Sequence, residues 1–204
     1  ILTKTLGYLN HKNKSPELPE ELKEVYDEEK YEKSLKYENT KYRFGLLSSG
    51  ISIVVTIAML TLGGFGWLDE FVRQFTDNTI VMALYFFGII TLVQTIIGLP
   101  FSYYSTFVIE EKFGFNKMTK KLFFLDTIKG LLLSAVLGGW ILALIVWIYS
   151  IAGENFWWYA WILMTFISVF FMMFYSSVIV PIFNKQTPLE SGELRDAIQK
   201  FSDK

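Results

Sequence analysis

The densest group of residues able to do chemistry is Thr106-Phe107-Val108-Ile109-Glu110-Glu111-Lys112-Phe113-Gly114-Phe115-Asn116. Adjacent carboxylates at Glu110 and Glu111, with the Asn116 amide nearby, could bind a cation, position a peptide, or serve as an acid and a base. The competing reading is a solvated loop in which Glu111 and Lys112 meet only water, since exposed ion pairs contribute little. No catalytic motif accompanies the pair, and spacing alone leaves both readings open. Other candidates are thinner. His11 sits among Asn10, Lys12, Asn13 and Lys14, without a carboxylate partner, and reads as a solvated side chain rather than a metal ligand. Thr91, Gln94 and Thr95 place polar groups about one turn apart inside an apolar run, where hydrogen bonding between helices is the expected role and cavity lining the alternative. Gly63-Gly64-Phe65-Gly66 lacks the Lys-Ser/Thr ending of a phosphate loop and reads as a flexible helix end.

These residues must be held by elements that composition makes plain. Of 204 residues, 52% are hydrophobic and the formal net charge is −1, with the charges gathered between long uncharged blocks rather than spread at amphipathic spacing. That pattern is an all-α, polytopic membrane bundle. The near-zero net charge removes the electrostatic basis for nucleic-acid binding. Without cysteine, and with a single histidine, disulfides and thiolate chemistry are excluded, and most zinc sites and serine-type triads lack their imidazoles.

Four spans are expected. Phe44 to Leu68, about 25 residues at ~1.5 Å each, exceeds the roughly 30 Å hydrocarbon core. Asn78 to Ile109 is too long for one straight span, and Pro100 should end or kink it near Leu99, leaving Phe101 to Phe107 interfacial or lining a cavity. Gly130 to Gly153 and Asn155 to Phe183 are separated only by Gly153-Glu154-Asn155, a tight hairpin, and Pro181 closes the last span. No ionisable residue falls deep within a span, which disfavours a pump or proton-coupled transporter. Ser134, Gly138, Gly139 and Ala143 permit close helix contact.

Lys30, Lys33, Lys36, Lys41 and Arg43 before the first span, and Lys112, Lys117, Lys120, Lys121 and Lys129 after the second, place both segments in the cytoplasm. The segments with Asp69, Glu70, Arg73 and Asp77, and with Glu154, fall on the other side. Both ends of the chain are then cytoplasmic. Trp67, Trp157, Trp158 and Trp161 fit an outer aromatic belt, while Trp140 and Trp147 read as packing residues.

The organisation is therefore a cytosolic amphipathic segment over 1–43, a four-span membrane domain over 44–183, and the start of a cytosolic helical region over 184–204. In the first, Leu22, Val25 and Tyr26 with the pairs Glu29/Lys33 and Glu32/Lys36 describe a helix begun near Ser15-Pro16 or Pro19. In the last, Leu194, Ala197, Ile198 and Phe201 share a face behind Ser191 as a cap. That stripe stops just before Lys204, and Ile1-Leu2 followed by Lys4 looks like the tail of a hydrophobic segment. The expectation is a chain lacking both native ends.

The string Leu99 to Asn116, LPFSYYSTFVIEEKFGFN, closely resembles the signature of the type I CAAX prenyl proteases, membrane zinc metalloendopeptidases of the HExxH class. Ile179-Val180-Pro181-Ile182-Phe183-Asn184-Lys185-Gln186-Thr187-Pro188-Leu189 is similar to the stretch that ends that family's amino-terminal membrane domain. Leu18-Pro19-Glu20 and Tyr31-Glu32-Lys33-Ser34 resemble its first cytosolic segment. The resemblance covers nearly the whole chain and implies a seven-helix parent protein around an internal chamber, with zinc bound by two HExxH histidines and a downstream glutamate. This sequence has no HExxH, so no catalytic or metal residue carries over and this segment is expected to bind no metal and to be inactive alone. The four spans would correspond to the family's second through fifth helices. The implied role is part of a substrate chamber for C-terminal or membrane-associated peptides, with Glu110, Glu111 and Asn116 seating peptide or contacting the zinc-bearing half of the same protein. The implied partners are that half, a peptide substrate and the lipid bilayer. The alternative is a noncatalytic scaffold or transporter-like subunit sharing the fold.

Overall fold

The structure is a computed structural model that describes residues 6, 7, 9, 10, 13, 27–185, 187, 189 and 191–202. Helix start signals set its frame. The Asp27 carboxylate accepts from Glu29 N–H at 2.9 Å and opens α1, Glu28–Thr61. Glu32 and Lys36 pair at 2.7 Å, as the i,i+4 spacing predicts. From this charged turn α1 passes into the apolar run without a break. The start near Ser15 and the stripe at Leu22, Val25 and Tyr26 lie outside the described residues.

The first span ends earlier than Leu68. Gly63 takes a left-handed φ of 69°, which ends the helix at Thr61, and a separate helix α2, Gly64–Arg73, follows. Three glycines within four residues remove the helix preference that hydropathy alone implies. In α2, Leu68 and Val72 are buried one turn apart, while Asp69 and Arg73 pair at 2.7 Å on the exposed side. Asn78 caps α3, Thr79–Tyr104, accepting from Ile80 and Val81 N–H.

Pro100 does not end α3, and residues 101–107 are not irregular. The helix continues through it into a wider π turn, Ser105–Glu110, and a last short turn, α4, Glu111–Phe113. Pro100 has no N–H, so the Ile96 carbonyl one turn before it loses its helical donor, whereas beyond the proline the ladder goes on: Ser105 N–H is shared between the Phe101 and Ser102 carbonyls.

Thr119 then caps α5, Lys120–Leu133, which runs through a second π turn, Ser134–Gly138, into α6, Gly139–Ala152. The Gly153–Asn155 turn, with Gly153 at φ 53°, leads to α7, Phe156–Phe174, a third π turn, Tyr175–Ile179, and α8, Val180–Phe183. Among the described residues, three runs are long and apolar enough to cross a membrane: Glu28–Thr61, Thr79–Phe113 and Lys120–Phe183. The third has 64 residues, about 96 Å if straight at ~1.5 Å per residue, three times the hydrocarbon thickness. It is folded on itself: Lys129 Nζ donates to the Ile182 carbonyl at 3.2 Å, across 53 positions. The expected tight hairpin is present.

The chain is thus a polytopic helical membrane bundle. α3 and α6 make its most extensive helix pair, with Gly139 seated against Leu84. Few side chains are buried, among them Ile109, Phe113, Phe123, Ile167 and Ile179, whereas Val54, Ile96, Phe166 and Met172 project outward. Lipid solvates such side chains, so outward apolar faces are no penalty in a bilayer. Beyond the bundle, α9, Glu193–Ser202, presents Leu194, Ile198 and Phe201 outward. Its first helical bond runs from Asp196 N–H to the Gly192 carbonyl, so Gly192 rather than Ser191 holds the cap position.

Candidate functional site

The residues singled out at 110–116 end a helix, and their types follow from that task. Gly114 adopts φ 80°, Phe115 N–H donates to the Glu110 carbonyl at 2.9 Å, and Gly114 N–H to the Glu111 carbonyl at 3.0 Å. This is the six-to-one and five-to-two bond pattern of a Schellman cap, which favours glycine at the left-handed position. Asn116 continues the stop: its Nδ2 donates to Glu111 Oε2 at 2.7 Å while its Oδ1 accepts from Met118 N–H at 2.8 Å. One side chain therefore closes the loop in both directions. Glu111 is not merely hydrated, as the solvated-loop reading would have it.

Glu110 points elsewhere. Its Oε1 accepts from Lys41 Nζ at 3.2 Å and from the Tyr37 hydroxyl at 3.4 Å, and Lys41 Nζ also donates to the Tyr37 hydroxyl at 3.0 Å. Half-buried Glu110 and the more exposed Lys41 make this a hydrated ion pair, worth about 0.2–1 kcal/mol. The bond to Tyr37, and then the Glu110 carboxylate, hold the Lys41 ammonium above its ordinary lysine value. The Tyr37 ring also packs on Phe113 at 5.3 Å and Phe115 at 4.7 Å. Beneath this triad, Phe44 stacks on Tyr104 at 5.1 Å, and Tyr103, Phe107 and Phe123 form an aromatic cluster that joins α3 to α5.

The structure thus brings Glu110, Glu111 and Asn116 into one loop but gives the two carboxylates different partners. Sequence reasoning used Lys41 only as a topological charge and did not single out Tyr37. Nothing local signals their role, because the partner lies 69 and 73 positions away.

Of the span polar residues, Thr91 and Thr95 donate to the carbonyls of Phe87 and Thr91 on their own helix, each at 2.8 Å, rather than across the bundle. His11 lies outside the described residues. Among the described residues no three His, Cys, Asp or Glu side chains come together to hold a metal ion.

Fold and loop together define a multi-pass membrane protein whose second long helix is closed by a glycine-centred stop and tied to the first by a Tyr-Lys-Glu triad. A family described as CAAX prenyl protease N-terminal, five membrane helices, matches residues 7–185. The chain belongs to that family. It is 33% identical over 197 residues to CAAX prenyl protease 1 of Saccharomyces cerevisiae, covering 92% of this chain and 44% of the relative. Against the CAAX prenyl protease 1 homolog of Arabidopsis thaliana it is 37% identical over 196 residues, covering 93% and 46%. The crystal structure of S. mikatae Ste24p superposes with a TM-score of 0.86 at 33% identity, covering 96% of this chain and 47% of that one. The chain spans less than half the length of these relatives.

Proposed function

We propose that this chain is the amino-terminal membrane part of a zinc metalloendopeptidase that cleaves C-terminal or membrane-associated peptides. It forms part of the wall of the substrate chamber and does no chemistry alone. The observation that carries this reading is the match of nearly the whole chain to under half of each protease relative.

In this reading 1–43 and 184–204 are cytosolic, 44–183 is the membrane domain, and both ends lie in the cytoplasm. The Lys-rich segments before α1's apolar run and after α3 support that orientation. The loop that bears Glu110, Glu111 and Asn116 then sits at the cytosolic mouth of the chamber. Its carboxylates fix the loop's shape against α1, so that the rim meeting peptide or the zinc-bearing half is preformed.

The test compares the full-length protein with this chain alone. The full-length protein should bind zinc and release a C-terminal tripeptide from a prenylated peptide, and a zinc chelator should abolish release. This chain alone should retain no zinc after dialysis and should cleave nothing. Stoichiometric zinc on this chain, or chelator-resistant cleavage by the full-length protein, would overturn the proposal.

A further inference from the structure

Residues 112–121 carry four lysines and no acid. Three of these, Lys117, Lys120 and Lys121, are exposed and pair with no carboxylate among the described residues. The acids on either side are engaged elsewhere: Glu110 with Lys41, Glu111 with Asn116, and Asp126 beside Lys129. The lysines at the wet end of α1 differ, because Glu28, Glu29 and Glu32 stand among them. Positive charge therefore collects between α3 and α5 without a counter-charge from the described residues.

The course of α5 points to the kind of anion that would balance it. The inner side of this helix is set by Phe123, which is buried against Tyr103 and Phe107. Nearly opposite, Lys121, Leu125, Ile128 and Leu132 succeed one another at helical spacing, so they form one stripe, and all four are exposed. From Lys121 to Leu132 the stripe is about 16 Å long at ~1.5 Å per residue, close to half of the roughly 30 Å hydrocarbon core. A lysine thus heads an apolar track one leaflet deep. Its ammonium, on a flexible stem, reaches the phosphate layer with Lys120 beside it, while the three apolar side chains lie along an acyl chain. A free anion would engage the lysines and leave the track idle. A neutral lipid would cover the track and leave the lysines to water. An acidic phospholipid engages both.

We infer that the outward face of α5 binds an acidic phospholipid, with Lys120 and Lys121 on its headgroup and Leu125, Ile128 and Leu132 along one of its chains. The site stands whichever side of the membrane the loop occupies and whatever the full-length protein cleaves.

The test uses the full-length protein in vesicles of phosphatidylcholine with a trace of either phosphatidylserine or phosphatidylcholine bearing a photoactivatable acyl chain. After illumination, adducts are located by peptide mass spectrometry. Phosphatidylserine adducts on 121–132 should exceed phosphatidylcholine adducts roughly tenfold, and Lys120→Gln with Lys121→Gln should bring the two close to parity. Lys30→Gln with Lys33→Gln removes the same charge about 16 Å or more along α1 from Phe44, beyond the ~8 Å Debye length, and should leave the ratio unchanged. Inorganic phosphate added at constant ionic strength should not lower it. Equal labelling by the two lipids in the unsubstituted protein would overturn the inference, as would the absence of adducts on the stripe, which would mean that protein covers this face. Loss of the excess on adding phosphate would also overturn it, since the lysines would then take an anion alone. If the double glutamine variant fails to accumulate, Lys121→Gln alone carries the same comparison, with Lys121→Arg expected to keep the excess, and a ratio unmoved by Lys121→Gln is equally decisive against the site.

Discussion

Lys41 Nζ lies 3.2 Å from Glu110 Oε1, joining the first long helix to the end of the second across 69 positions. Because both groups keep partial contact with water, the bond orients more than it stabilises. Lys41→Met and Glu110→Gln should each lower stability by about 0.5–1 kcal/mol, with a coupling of similar size in the double variant. Denaturant titration in mixed micelles, read as a double-mutant cycle, checks this. A coupling indistinguishable from zero would show that the pair is incidental.

Gly114 at φ 80° predicts a larger effect from a smaller change. Gly114→Ala forces a β-carbon into the left-handed region and should cost about 1–2 kcal/mol, although nothing crowds that position. Asn116→Leu, which breaks bonds to Glu111 and Met118, should loosen the same loop. Limited proteolysis between 113 and 119 should accelerate in both variants. Asn116→Asp should loosen it too, because the new carboxylate faces Glu111 and loses the donor. Unchanged cleavage in Gly114→Ala would mean that the turn is not formed.

Lys129 closes the Gly153–Asn155 hairpin at its far end, tying α5 to α8 by donating to the Ile182 carbonyl, and lies 3.9 Å from Asp126, whose buried Oδ1 has no hydrogen-bond donor. Lys129→Met removes the bond to Ile182 and leaves Asp126 without its neighbouring cation. It should destabilise by about 1–3 kcal/mol, and Lys129→Arg should recover part of that loss. Adding Asp126→Asn to Lys129→Met should soften the effect. Thermal midpoints in detergent distinguish these outcomes. A Lys129→Met protein as stable as its parent would show that the hairpin is held without this contact.

The proposed orientation predicts sidedness. Lys117→Cys should react with an impermeant thiol reagent only once the cytoplasmic face is opened, and Glu154→Cys should react from the opposite face without permeabilisation. The reverse pattern would invert every cytosolic assignment made here.

Much of this architecture is legible in the sequence because hydropathy is a regional property. The apolar runs and the Gly153-Glu154-Asn155 hairpin need only composition and length to be found. Boundaries set by backbone geometry are less visible. Hydropathy carries the first span to Leu68, whereas Gly63 stops it at Thr61, and Pro100, read as an end or a kink, lies inside α3, which runs on to Tyr104. At the site, the grouping of Glu110, Glu111 and Asn116 is local and therefore readable. Tyr37 and Lys41 meet Glu110 only after two long helices have been set side by side, which no spacing rule encodes.

α1 runs unbroken from Glu28 to Thr61, about 51 Å at ~1.5 Å per residue against roughly 30 Å of hydrocarbon. It is a single rod shared between water and lipid, without a joint at the surface. Leverage follows from this: a tilt imposed on its wet end at Tyr37 and Lys41 must swing Ser52 and Thr56 through the bilayer. The spacing between α1 and α3 is therefore geared to the position of a loop that lies outside the membrane.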